Sequence, residues 1–80
     1  MASFTILEKE QPQMPDNLMS GLLREIGRVR AIADEYEEFE AGKFAAAFMR
    51  KDIDDAQTAI SDGDVVAMIR LFNALKTYEL

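Results

Sequence analysis

Residues 19–36 read MSGLLREIGRVRAIADEY. Met19, Leu22, Ile26, Val29, Ala33 and Tyr36 recur at spacings of 3, 4, 3, 4 and 3. That is the period of a helix with one apolar seam, and it excludes the strict alternation of a half-buried strand. Leu18, Leu23, Ile32 and Phe39 widen the stripe, so more than one neighbour is expected to pack against it. Asp16 or Asn17, just after Pro15, suits the N-cap, and Gly42 is the expected stop, giving a first helix over about 16–41. Gly21 and Gly27 lie inside it, where each costs about 1 kcal/mol relative to Ala. Glycine at those places is expected where a packed helix or a ligand comes close.

The same reasoning extends along the chain. A second helix is expected over about 43–61, with Ala45, Met49, Ile53, Ala56 and Ile60 on one face and Phe44 and Phe48 stacked beside it. "SDGD" at 61–64 then makes a tight break, with Gly63 as a left-handed stop and Asp64 as the next cap. A third helix over about 64–78 points Val65, Met68, Phe72 and Leu75 inward, with Ile69, Leu71 and Tyr78 alongside. Residues 1–15, MASFTILEKEQPQMP, stand apart, because Pro12 and Pro15 interrupt a helical reading and Phe4, Ile6 and Leu7 suit a short strand or extended arm. The expected fold class is therefore all-α: an arm at 1–15, then a single helical domain at 16–80 built as a three-helix bundle.

Composition bounds the function. A chain of 80 residues buries only about 60–65% of its unfolded surface, and the chain has no Cys for a disulfide and no Cys or His for zinc. Association with further copies is the remaining way to extend the core, so a homodimer or higher oligomer is expected. Absence of Cys fits a reducing cytoplasm, and no secretory signal or bilayer-length apolar run is read, so the expected localisation is cytoplasmic with no membrane partner. Fifteen acids against nine bases give a net charge of −6, which opposes direct nucleic-acid binding and permits attraction to a basic protein surface.

Catalytic constellations are hard to assemble from these residues. Without His or Cys the commonest general base and the strongest nucleophile are gone. Ser3, Ser20 and Ser61 sit in no nucleophile-elbow setting, and the four glycines form no phosphate loop. "DIDDAQTAISDGD" at 52–64 fails as a calcium loop: from Asp52 the sixth position is Gln57 and the twelfth Gly63. A non-enzymatic protein without metal or cofactor is the expectation.

Two surfaces remain. Tyr36, Glu37, Glu38, Phe39 and Glu40 place rings and acids together at the end of the first helix, where the helix dipole disfavours negative charge. A basic partner would use such a face, and these five are the candidate partner-binding residues. Arg24, Arg28, Arg30 and Arg70 form the alternative, since guanidinium forks suit carboxylate or phosphate. Ordinary ion pairing competes with that reading, Glu25 with Arg28 and Arg30 with Asp34.

"MPDNLMSGLLREIGRVRAIADEY" (14–36) and "SDGDVVAMIRLFNALKTYE" (61–79) resemble small open reading frames of tailed phages and prophages. The resemblance covers most of 14–80 and lies in helix-and-turn patterning. It implies a small accessory protein acting against host defences, in the host cytoplasm. Such proteins either occupy a host protein stoichiometrically, as some anti-CRISPR proteins do, or act as oligomeric sponges that sequester an anionic cyclic nucleotide between subunits. A ribbon-helix-helix regulator is disfavoured because "SFTILE" offers no Arg, Lys, Asn or Gln to read bases. A structural virion component is the remaining class.

Overall fold

The computed structural model describes residues 2–79, with side chains from Asn17 to Glu79. Three helices account for the fold: α1 over Ala2–Tyr36, α2 over Lys43–Asp62 and α3 over Val65–Lys76, with a 3₁₀ turn at Glu40–Gly42 leading into α2. The fold class is all-α, and the three helices pack pairwise into a bundle. Along α1, Gly21 meets Phe72, Arg28 meets Leu75 and Tyr78, and Tyr36 meets Glu79. Contacts that ascend together in this way make α1 and α3 run parallel, with α2 reversed between them.

The seam on α1 forms the core as its spacing predicts. Leu22, Val29 and Ala33 are fully buried and Ile26 is 4% exposed. Ile32 joins them, Met19 and Tyr36 pack at the edge, and Leu23 turns outward. Burying a Leu or Val side chain contributes about 1.5–3 kcal/mol, so this row is the main source of cohesion. From α2 come Ala46, Met49, Ile53, Ala56 and Ala59, and from α3 Met68, Leu71 and Leu75. Gly21 is explained by close packing, since a Cβ there would lie 3.1 Å from the Phe72 ring. Gly27 faces open space, with no neighbour for a Cβ, so the close approach expected there is absent.

Several expected boundaries and faces shift. At the N-terminus the backbone is helical from Ala2, not an extended arm over 1–15, although the side chains of that segment lie outside the described ones. A strand needs a neighbour for its backbone groups, and none of the described residues forms one; a helix satisfies them within the segment. At its other end α1 stops at Tyr36 rather than Ala41. Glu37 and Glu38 turn, and Phe39 goes extended at φ −137°, ψ 151°. Gly42 is consequently the N-cap of α2, with φ −86°, rather than a left-handed stop. On α3 the buried row is Met68, Leu71 and Leu75, while Val65 is 52% exposed and Phe72 lies at the edge against Gly21. Met68 and Leu75 belong to both the expected and the observed row; the difference lies at the adjacent pair, with Leu71 in the core and Phe72 at its edge.

The turn between α2 and α3 matches expectation in detail. Gly63 adopts φ +68°, its N–H donates to the Ile60 carbonyl at 3.2 Å, and the Asp64 N–H donates to Ala59 at 3.0 Å. This paired closure is a Schellman motif. The Asp64 carboxylate then accepts from the Ala67 N–H at 3.1 Å and caps α3. At its far end α3 stops at Lys76, short of the expected Tyr78.

Candidate functional site

The corner between α1 and α2 carries the five candidate partner-binding residues. Because α1 ends early, Glu40 leaves its C-terminal turns and precedes α2 instead, while the Glu37 and Glu38 N–H groups still donate to the Ala33 and Glu35 carbonyls at the end of α1. Glu40 lies in the 3₁₀ turn that runs into α2, where the positive end of the helix dipole accommodates negative charge. The expected conflict with the dipole of α1 is thereby removed for Glu40 and remains for Glu37 and Glu38, which directly follow its last turn. Local stability accounts for Glu40 without a partner.

Arg50 fixes the corner from the neighbouring helix. Its Nε donates to Glu37 Oε2 and its Nη2 to Asp34 Oδ1, both at 2.7 Å. Arg30, expected to pair with Asp34, is exposed, and Arg50 reaches that carboxylate instead. The Arg50 hydrogen bond holds the Glu37 carboxyl below its usual range, although partial desolvation and Asp34 oppose this. Gly42 closes the corner from beneath: a Cβ there would collide with the Tyr36 carbonyl oxygen and lie 2.8 Å from the Phe39 ring. The loop is thus pinned at both ends, by an ion pair above and a backbone contact below.

On this pinned loop the rings divide. Tyr36 is half-buried and donates its hydroxyl to the Glu79 carbonyl at 3.2 Å, with its ring 5.9 Å from that of Phe39. Phe39 is 53% exposed. Glu38 is exposed and has no cation within 4 Å among the described residues, while Glu40 holds a loose 3.5 Å contact with Lys43. Phe44 and Phe48, expected as a stacked pair beside the core, stand out from α2 at 82% and 65% exposure. The signal was present in the spacing, because 44 and 48 fall well away from the row 46, 49, 53 and 56.

The arginines are not gathered into one site within a single copy. Arg28 donates to the Tyr78 carbonyl at 2.8 Å and the Leu75 carbonyl at 3.0 Å, and its Nε and Nη2 bond Glu25 Oε1. It caps the C-terminal end of α3, where carbonyls lack helical partners. The Glu25–Arg28 pair is the one expected, at 2.8 Å. Arg24, Arg30 and Arg70 are exposed. Six residues separate Arg24 from Arg30, which sets them about 120° apart around α1. Arg70 lies across the bundle at an open cleft of about 300 Å³, beside Asp55, Asp62 and Asp64.

Nearby, the Tyr78 hydroxyl donates to Asp52 Oδ2 at 2.7 Å. Desolvation first, then this bond and the charge on Asp52, push the phenol up to about 12. Together with Arg28 and Tyr36, this bond secures residues 77–79 after α3 ends. Among the described residues no helix is long and apolar enough to cross a membrane, and no three carboxylates gather as a metal site. No family model, curated protein or solved structure matches this chain.

Proposed function

We propose that this chain is a non-enzymatic binding module that docks a basic protein surface through the corner formed by Tyr36, Glu37, Glu38, Phe39 and Glu40. The carrying observation is Phe39, a ring half exposed between Glu38 and Glu40 on a loop held by Arg50 and Gly42. A preorganised aromatic residue gives a partner an anchor at low ordering cost. The unpaired Glu38 carboxylate and the loosely held Glu40 beside it attract cationic partners and raise the association rate. The resemblance to phage accessory proteins points to a host defence protein as the partner and to stoichiometric occupation as the mode of inhibition. The competing class is a nucleotide sponge using Arg24, Arg28, Arg30 and Arg70. Arg28 is already engaged by Glu25 and two carbonyls, so the corner is the better supported surface.

Affinity capture from bacterial lysate with wild-type protein, followed by kinetics on the captured protein, tests this reading. Replacing Glu37, Glu38 and Glu40 together with Gln should slow association, and raising salt should slow it for wild type. Phe39→Ala should speed dissociation. Full capture by both variants would end the corner hypothesis. Thermal stabilisation by a cyclic nucleotide, abolished by Arg24→Ala, would transfer the assignment to the sponge.

A further inference from the structure

We infer that a partner at the corner meets Glu38, Phe39 and Glu40, and that Arg50, outside this unit, is the positioning residue that holds Phe39 out to it. This rests on the docking reading above and divides its five residues by task. Arg50 reaches across from α2 and ties two stretches of chain, the end of α1 through Asp34 and the turn through Glu37, both at 2.7 Å. Glu37 is thereby anchored just before the exposed loop. Gly42 is anchored just after it, packed on the Tyr36 carbonyl with its N–H donating to the Phe39 carbonyl at 3.0 Å. Between the two anchors stand Glu38, Phe39, Glu40 and Ala41, all exposed.

The sign of Arg50 separates its task from that of its neighbours. A cation among the corner acids works against a face that attracts basic partners, so attraction does not explain it. An exposed ion pair adds little to global stability either. What Arg50 supplies is local: two nitrogens of one planar fork fix two backbone segments relative to each other. A loop fixed in this way loses less freedom when a partner seats on Phe39. Asp34 and Glu37 are occupied in the tie. Glu38 has no cation within 4 Å among the described residues, and Glu40 has only its 3.5 Å contact with Lys43. These two carboxylates, one on each side of Phe39 in the chain, are left for the partner's cations.

Two measurements test this, the first without a partner. A Cβ at Gly42 would lie 2.8 Å from Phe39 Cε2, so the Gly42 α-protons should give an NOE to that ring. Arg50→Gln should cut this NOE by about half, within the modest range of an exposed ion pair, and leave the Gly63–Asp64 turn unchanged. The second is kinetics on the protein that the wild-type chain captures. Arg50→Gln removes a positive charge, so association should hold or quicken while dissociation becomes about threefold to fivefold faster. Arg50→Lys keeps the charge but offers one nitrogen in place of the fork, so association should match wild type and dissociation stay fast. Glu37→Gln should also speed dissociation, and adding Arg50→Gln should speed it no further, whereas Glu38→Gln and Arg50→Gln should multiply. An undiminished NOE in Arg50→Gln overturns the positioning role. Slower association of Arg50→Gln overturns it too, since Arg50 would then meet the partner itself. Wild-type dissociation of Arg50→Gln, where Phe39→Ala dissociates faster, overturns it with the docking reading intact. An empty capture or an indifferent Phe39→Ala is instead the failure of the docking reading, and the recognition unit falls with it.

Discussion

The α1 seam and the α1–α2 corner are built from similar residues and end in opposite environments. Leu22, Ile26 and Val29 are consumed by contacts with α2 and α3. Phe39, Phe44 and Phe48 carry more apolar area per residue yet remain half to mostly exposed. Hydrophobicity therefore did not sort these residues; access to a neighbour did. A ring at the end of a three-helix bundle, or on the outer face of its middle helix, has no intramolecular surface left to cover it. Exposed large apolar residues in a group mark surfaces available to other molecules.

Substitutions on the two sides should make the contrast measurable. Leu22→Ala removes a fully buried side chain and should cost about 2–5 kcal/mol in chemical denaturation. A cost below about 0.5 kcal/mol would place the core elsewhere. Gly42→Ala sets a Cβ against the Tyr36 carbonyl and should destabilise by about 1–3 kcal/mol. Retained stability there would show that the corner is looser than its contacts imply. Gly27→Ala, on the open side of the seam helix, should instead raise stability by about 0.4–1 kcal/mol. Phe44→Ala removes a larger side chain than Leu22→Ala but should change monomer stability by no more than about 0.5 kcal/mol. A core-sized loss at Phe44 would dissolve the comparison.

The finest distinction is electrostatic. Glu37 bonded to Arg50 should titrate below the ordinary glutamate value of about 4.3, followed by carboxyl NMR shifts. A depressed folded value means that its contribution is present above about pH 4.3 and is lost as pH falls through the folded value. Arg50→Gln should move the titration back toward the ordinary range. An unchanged titration would show that the ion pair does not hold the corner in solution.

How much of this was legible before the structure varied with the range of the forces involved. The spacing of Met19, Leu22, Ile26, Val29, Ala33 and Tyr36 determined the first helix and its buried face, because helical geometry brings residues three and four apart together without help from the rest of the chain. Gly63 and Asp64 determined their turn for an equally local reason: a left-handed stop and a side-chain cap need only the adjacent backbone. Tertiary structure decided the rest. The end of α1 at Tyr36, the capture of Asp34 and Glu37 by Arg50, and the assignment of Arg28 to the end of α3 each join residues at least 13 apart or require a backbone path that bends back. On α3, Leu71 entered the core while its neighbour Phe72 came to lie at the edge against Gly21 of α1 and Val65 stayed exposed, a division that only the packed helices decided. Phe44 and Phe48 divide between the two: their distance around α2 from Ala46, Met49, Ile53 and Ala56 already turned them away from that row, but only the packed arrangement of three helices determined that no neighbour covers them.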